Sequence, residues 1–263
     1  DAMTLGANAT LTGTTVSVAA VTGTGHNLTV TGNAVLVGVV SGVHALQVSG
    51  TTNLNTASVS TSGGQTYSGA VTLGVDTTLA SSGSGAIGFG STVNGAHALT
   101  VNTGGTTSFG GAIGGTTALT SLTTNAGGST MLGGNVTTSG AQAYNDAVTL
   151  GTDVTLATTN GAVSFGSTVD NATATKQALT VNAGTGAVTF TGALGNGGNG
   201  ALASLATNSG TFSANALNIG SGGLAVTTTT GGIAQGGAFK VAGTSSFNAG
   251  SGAITLTNSG NDF

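Results

Sequence analysis

Proline, cysteine, tryptophan, arginine and glutamate are absent from this chain of 263 residues. The lack of proline suits strands at the centre of a sheet, where every backbone amide has to donate a hydrogen bond. The lack of arginine excludes an Arg-Gly-Asp motif. Two lysines and a formal net charge of −4 cannot supply a basic stripe that follows a phosphate backbone, so nucleic acid is not a predicted partner.

Charge and long apolar runs are also scarce. Charged residues make up 3% of the chain, against roughly 25% in ordinary soluble domains, which excludes the highly charged type of disordered segment. No apolar stretch approaches the roughly 18 residues of a membrane span, and no basic, apolar leader opens the sequence. We therefore expect no membrane insertion. Glycine is abundant, with 50 residues, on a background of Thr, Ser and Asn.

Apolar residues recur at positions i and i+2 in short runs such as Leu28/Val30, Leu99/Val101 and Ile254/Leu256. A period of two indicates strands, and the scarcity of good helix formers argues against helices. The sequence therefore predicts an all-β protein. Asn94-Gly95 and Asn160-Gly161 suit hairpin turns, so turn chemistry alone leaves an antiparallel sandwich open.

Internal repeats argue against that sandwich. DAMTLGANATL (residues 1–11) recurs as SGAVTLGVDTTL (68–79) and NDAVTLGTDVTL (145–156), and FGSTV and ALTVN each occur twice. A unit of this kind cannot bury its apolar face alone, so neighbouring units have to stack. We predict one continuous solenoid over residues 1–263, with repeats over approximately 1–67, 68–144 and 145–219 and a divergent partial repeat over 220–263.

The predicted fold is a right-handed parallel β-helix in which each coil contributes three short strands. Leu28 lies 18 residues before Leu46, and Leu99 lies 20 before Leu119, so we expect about 20 residues per coil, on the order of 13 coils and a rod about 60 Å long. We assign seven phenylalanines to the core: Phe89, Phe109, Phe165, Phe190, Phe212, Phe239 and Phe247.

Both ends of the sequence fall inside the repeat pattern. Asp1 occupies the repeat position of Asp146, and residues 261–263 have the pattern of the start of a strand. We expect this chain to be a piece of a larger protein whose neighbouring coils, or other copies placed end to end, cover the exposed coil ends.

The stretch GGIAQGGAFKVAGTSSFNAGSGAITLTNSGNDF (residues 231–263), together with the AVTLG and ALTVN units, resembles the repeat region of filamentous-haemagglutinin-like adhesins. These are very large bacterial exoproteins secreted by a two-partner or autotransporter route. The resemblance implies a parallel β-helix at a Gram-negative cell surface that serves as an adhesive fibre or its stalk. The absence of cysteine agrees with passage through an oxidising periplasm.

Three histidines form the most specific candidate site. His26, His44 and His97 each lie two residues before the leucine of an L-x-V strand. If His26 and His44 fall in adjacent coils, their rings could stack about 5 Å apart and share a metal ion. The favoured interpretation is a solvent-facing corner, because no cysteine or carboxylate converges on it and Lys176 and Gln177 occupy the matching region of a later copy. We predict no metal site.

Aspartates mark a second candidate. Asp76 and Asp153 occupy matching repeat positions, and Asn8 holds that position in the first copy. A side-chain oxygen bonded to its own backbone explains both residue types. Calcium is the alternative, but one carboxylate per repeat is too sparse for a stacked calcium site. Asn102, Asn125, Asn182 and Asn208 follow strands and could form ladders where their registers align.

Enzyme function is not predicted, although parallel β-helices also carry polysaccharide lyases and hydrolases. Glycoside hydrolysis needs two close carboxylates, and the nearest aspartates, Asp146 and Asp153, include one repeated structural position. Ice binding would need a regular Thr-x-Thr lattice, which the variable repeat length breaks, and functional amyloid would need short repeats of nearly equal length. The sequence predicts no catalytic residue and no cofactor.

We therefore expect a non-catalytic, extracellular structural or adhesive fibre segment of a large bacterial surface adhesin. It would act as a stalk or would itself touch a host or abiotic surface. The alternative is a self-assembling filament or surface-layer subunit. The two differ in whether the segment is covalently continued or meets another copy end to end.

Overall fold

The computed structural model describes residues 2–263, so the repeat assignment of Asp1 lies outside the described residues. The described chain is all-β, and its parallel strands stack as a β-solenoid of about 12 turns with about 21 residues per turn. This confirms the predicted fold class. None of the described residues lies in a helix capable of crossing a bilayer. The chain divides into two compact units, Asp1–Thr130 and Met131–Phe263.

The first unit is built from short strands, most of them three to five residues long. In chain order they are β1 (Met3–Thr4), β2 (Ala9–Val18), β3 (Val21–Thr22), β4 (Leu28–Leu36), β5 (Val40–Val43), β6 (Leu46–Val48), β7 (Thr52–Leu54), β8 (Ser58–Thr61), β9 (Gln65–Tyr67), β10 (Val71–Leu73), β11 (Thr77–Ser81), β12 (Ile87–Phe89), β13 (Val93–Asn94), β14 (Ala98–Thr103), β15 (Thr106–Phe109) and β16 (Ser121–Thr124).

These strands form three parallel faces, which the chain visits in turn. Face I contains the first halves of β2 and β4, then β6, β9, β12 and β15, and face II contains the second halves of β2 and β4, then β7, β10 and β13. Face III contains β1, β3, β5, β8, β11, β14 and β16. Each turn therefore contributes three strands, as predicted.

The second unit continues from β17, which spans the boundary between the two units. In chain order its strands are β17 (Ser129–Leu132), β18 (Val136–Thr138), β19 (Gln142–Tyr144), β20 (Ala147–Leu150), β21 (Val154–Thr158), β22 (Val163–Phe165), β23 (Val169–Asn171), β24 (Ala178–Asn182), β25 (Ala187–Phe190), β26 (Ser204–Ser209), β27 (Thr211–Ala214), β28 (Leu217–Ile219), β29 (Leu224–Thr228), β30 (Ile233–Gln235), β31 (Phe239–Val241), β32 (Ser245–Asn248) and β33 (Ile254–Thr255).

The second unit also has three parallel faces. Face IV contains β20 and β23 and, through bridges made by Leu194, β28 and β31. Face V contains β18, β21, β24, β26, β29 and β32, and face VI contains β19, β22, β25, β27, β30 and β33.

Strand register sets the length of each turn. Leu28 pairs with Leu46, 18 residues on, as the sequence predicted. Leu99 pairs with Leu122 rather than with Leu119, so the predicted spacing of 20 was wrong at this turn. The register places Leu119 on the corner before face III, where it is still fully buried. Corners therefore absorb insertions while the strands stay in register.

Sequence repeats and structural turns do not coincide. In the first copy the TLG landmark lies at β1 on face III, whereas in the second copy it lies at β10 on face II. Asn8 accordingly precedes a face I strand, and Asp76 precedes a face III strand, so these two residues do not share a corner. Three full turns separate β1 from β8 on face III, and the chain then passes face I before it reaches β10 on face II, so an offset of 68 residues does not return the landmark to the same face.

Alternation along the strands fills the interior with apolar ladders. Tyr67 stacks on Phe89 at 5.4 Å between ring centroids, and Phe89 stacks on Phe109 at 5.0 Å. In the second unit the rings of Tyr144, Phe165, Phe190 and Phe212 form a similar series.

Six of the seven phenylalanines assigned to the core are buried, at 2% exposure or less. The seventh, Phe247, is only half-buried and was wrongly assigned to the core. Phe247 lies on β32, which pairs with β29. Its ring packs edge-on against Phe263, which is itself 54% exposed.

Candidate functional site

The histidine corner lies at the start of face I. Because Leu28 pairs with Leu46, His26 and His44 are neighbours in adjacent turns, and the His44 N–H donates to the His26 carbonyl at 2.9 Å. The exposed His44 ring places Nδ1 3.1 Å from the Oγ of Ser62 in the following turn. The condition stated above, that His26 and His44 lie in adjacent turns, is thus met.

The third histidine is not part of that corner. His97 precedes face III, where its Nδ1 lies 3.5 Å from the Asp76 Oδ1. Among residues 2–263, no group of three or more His, Cys, Asp or Glu side chains is arranged to hold a metal ion. Of the matching pair in the later copy, Lys176 is exposed and Gln177 is largely buried.

The aspartate corners hold successive turns together. Asp76 Oδ1 accepts the backbone N–H of Ala98 at 2.9 Å, and Asp153 Oδ1 accepts that of Ala178 at 2.8 Å. Asn8 Oδ1 accepts the N–H of Asn27 at 2.9 Å. We expected these oxygens to bond their own backbone, and that detail was wrong. In a parallel stack the backbone N–H in register on the next turn lies directly opposite the side-chain oxygen. This N–H is therefore the one that donates to it.

The same bond recurs at further Asn and Asp residues, of which Asn94 and Asn160 were considered above only as hairpin-turn residues. The acceptor–donor pairs are Asn33 with Thr51, Asn94 with Thr116, Asn135 with Thr155, Asn160 with Thr185 and Asp170 with Gly197. The signal in the sequence is an Asn or Asp within a few residues of a strand end. The sequence does not show the spacing between turns, which determines which backbone N–H donates to this oxygen.

The post-strand asparagines behave differently from one another. Asn182 and Asn208 are in register on β24 and β26, as a ladder requires. Asn125 instead reaches back by one turn, because its Oδ1 accepts the Thr103 N–H at 2.8 Å. The Asn125 side chain is therefore part of the bonding between turns.

A buried polar cluster occurs once in each unit. Gln65 Nε2 donates to the carbonyls of Val59 and Ala80 at 3.2 and 2.8 Å, and the Tyr67 hydroxyl donates to Gln65 Oε1 at 2.8 Å. Both side chains are fully buried. The cluster ties a face I strand to two face III strands across the interior.

The second unit repeats this cluster with Gln142 and Tyr144. Gln142 Nε2 donates to Val136 O at 3.3 Å and to Ala157 O at 3.0 Å, while the Tyr144 hydroxyl donates to Gln142 Oε1 at 3.0 Å. Burial raises the pKa of the Tyr67 and Tyr144 hydroxyls well above the usual value for tyrosine. The matching motifs SGGQTY (residues 62–67) and SGAQAY (139–144) therefore encode an interior anchor.

Face I carries a shallow groove of about 320 Å³ centred on Gly88. The outward positions of three paired strands are Thr66, Gly88 and Ser108, so the glycine leaves a gap between two hydroxyl side chains. A Cβ at Gly88 would have no neighbour within 4 Å. The matching position of the later FGSTV copy is Ser164, so the strand itself does not require glycine here.

Comparison with known families identifies one match. A family described as repeats of unknown function (DUF5649) matches residues 200–263. These residues cover β26 to β33, that is, the last turns of the second unit. The match and the solenoid together characterise the chain as a repeat protein. No curated protein and no solved structure matches the chain.

Proposed function

We propose that this chain is a non-catalytic structural segment of an extracellular adhesive fibre at a bacterial cell surface. The segment acts as a stalk or as a contact surface. Its partners are neighbouring turns of a larger chain or other copies placed end to end, together with a host or abiotic surface.

The observation that supports this role most directly is the bonding between successive turns. Each turn is joined to the next by parallel backbone ladders and by side-chain oxygens such as those of Asp76 and Asp153, which accept amides of the following turn. Stacked aromatic rings reinforce the same contacts inside. In such a repeat stability is a sum of contacts between neighbouring turns, which suits a spacer.

The outer surface supports contact with uncharged material. Outward strand positions carry mainly Thr, Ser, Ala, Gly and Asn. Three of the exposed large apolar side chains, Val37, Val39 and Val75, lie on corners between faces II and III of the first unit. The resemblance of residues 231–263 to adhesin repeats supports an extracellular, cell-surface location.

The proposal is tested with the bacterium that encodes the chain. Its gene is replaced by one lacking the codons for residues 1–263 in frame, and adhesion is measured beside surface binding by the purified segment. A stalk gives a purified segment that does not bind and a deletion strain whose adhesive tip is held closer to the cell. A contact surface gives a purified segment that binds, and an assembling subunit gives fibres.

Labelling of intact cells with an antibody against the segment provides the deciding control. We expect labelling of the wild type and none of the deletion strain. Wild-type cells that label only after lysis would overturn the extracellular role.

A further inference from the structure

Both lysines of the chain lie in one groove on the second unit. Lys176 and Lys240 are 64 positions apart in a sequence of 263 residues that has no other lysine or arginine. They line the same depression of about 440 Å³, together with Asn218 and Asp262. A volume in this range is typical of small-molecule sites. In a chain of net charge −4, the groove gathers all the side chains that are permanently cationic near neutral pH.

The wall bearing Lys176 is built by an insertion in the repeat. Between FGSTV and ALTVN the earlier copy has four residues, 94–97, whereas the later copy has eight, 170–177. The insertion lengthens the turn, so that Val154 pairs with Leu179, 25 positions on. Insertions in solenoids project as loops from one face, often the binding face.

A buried asparagine fixes this loop against its neighbour in the next turn. Asn171, 1% exposed, donates through Nδ2 to the carbonyls of Gly200 and Ala201, both at 3.0 Å, and its Oδ1 accepts the Gln177 N–H at 2.8 Å. The Lys176 ammonium consequently lies 3.5 Å from the Ala201 carbonyl, beside the groove. Asn171 therefore holds both the residue that follows Lys176 and the backbone segment that faces it.

The opposite wall is a ladder of outward side chains on face IV. Asn218 pairs with Lys240, and Lys240 pairs with Asp262. Within residues 2–263 no carboxylate oxygen lies within 4.0 Å of either lysine ammonium. The groove thus offers two cationic donors, one amide and one carboxylate, with a net charge of +1.

We propose that this groove binds a small ligand carrying one anionic group, a carboxylate or a phosphate ester, on a hydroxyl-bearing body. The two ammonium groups attract the anion. The Asn218 amide donates to the hydroxyls or accepts from them, and the Asp262 carboxylate accepts from them. The site is independent of the fibre role, since it belongs to one insertion and does not recur along the repeat.

The chain offers a direct test because it has only two lysines. Protein labelled with ¹³C at lysine Cε gives two resonances, one for each wall of the groove. Titration with glucuronate, glucose 6-phosphate and neutral glucose is compared at low and constant ionic strength. We expect both resonances to shift with a common Kd for one or both anions, and neither to shift with glucose. Response to only one anion identifies the anionic group.

Charge variants give the matched controls. Lys176→Gln and Lys240→Gln should each weaken binding about fivefold, and Asp262→Asn should strengthen it by a similar factor. Asp76→Asn, the same charge change in the first unit, should leave the Kd unaltered. Thermal unfolding confirms that each variant is folded. Different Kd values at the two resonances, equal shifts with sodium chloride, or no response to either anion would overturn the site.

Discussion

Glycines in this solenoid have two opposite roles, which Gly88 and Gly95 illustrate. Gly88 lies within strand β12, and a Cβ added there would meet no other atom within 4 Å. Gly95 has a φ of +129°, and a Cβ there would lie 2.3 Å from the Leu73 carbonyl oxygen. The first position accepts a side chain, and the second excludes one.

Gly88→Thr should therefore stabilise the protein by about 0.5–1 kcal/mol, because threonine favours a strand and loses less backbone freedom on folding. Gly95→Ala should destabilise it by roughly 1–3 kcal/mol. Urea unfolding of both variants measures the difference. A destabilised Gly88→Thr variant would show that the gap between Thr66 and Ser108 is needed for folding.

Buried tyrosines make stability depend on alkaline pH. Burial raises the folded-state pKa of Tyr67 and Tyr144, whereas an unfolded tyrosine loses its proton near pH 10. Above about pH 10 the unfolded state binds fewer protons than the folded state. The contribution of these tyrosines to the free energy of unfolding is therefore fully present below this pH and falls as the pH rises. The expected slope is about 1.4 kcal/mol per pH unit for each tyrosine.

Tyr67→Phe should remove one tyrosine's share of this slope. It should also cost about 1–3 kcal/mol at pH 8, because Gln65 Oε1 loses the hydroxyl that donates to it at 2.8 Å in a buried site. Urea unfolding at pH 8 and pH 11 gives both quantities. An unchanged slope in the Tyr67→Phe, Tyr144→Phe double variant would mean that other groups govern alkaline unfolding.

At the scale of strands and corners, the bonds between turns form a distinct contribution to stability. Asp153 is exposed, yet its Oδ1 accepts the Ala178 N–H at 2.8 Å. Asp153→Ala should destabilise the protein by about 0.5–1.5 kcal/mol. Asp153→Asn keeps an acceptor, as Asn8 does naturally, and should be close to neutral. Equal losses in the two variants, measured by thermal unfolding, would exclude the bond as the cause.

Strand positions were predictable from the sequence, because a period of two in residues such as Leu28, Val30, Leu99 and Val101 reflects burial on one side of a strand. The three-strand turn followed from the repeat. Register did not follow in every turn, since it depends on corner length, which varies, and Leu99 accordingly pairs with Leu122.

The sites depended on register and were therefore harder to predict. The spacing of 18 residues between His26 and His44 allowed them to be considered as neighbours, and the register places them in adjacent turns. The convergence of Lys176 and Lys240 in one groove depends on an insertion and on the hydrogen bonds by which Asn171 joins two loops. No local pattern signals that arrangement.

At the scale of the whole molecule, the structural unit is the turn and not the sequence repeat. Equivalent landmarks lie on different faces, so strands are placed by their neighbours in adjacent turns. A repeat protein of this type should tolerate the loss of a complete turn, because each turn contacts only the turns before and after it. Thr77 pairs with Leu99 in the first unit, so residues 78–99 constitute one such turn.

Deletion of residues 78–99 joins Thr77 to Thr100 and preserves the inward and outward alternation of the face III strand. It also brings Phe109 into the position next to Tyr67 that Phe89 now occupies. We expect cooperative unfolding with an m-value smaller by about one twelfth, in keeping with the loss of one of about 12 turns.

Deletion of residues 78–100 is the matched control. The extra residue removed turns Val101 toward solvent or shortens the corner at Asp76, so this variant should be less stable than the whole-turn deletion. If the two deletions unfold at the same urea concentration, the register between turns does not govern stability.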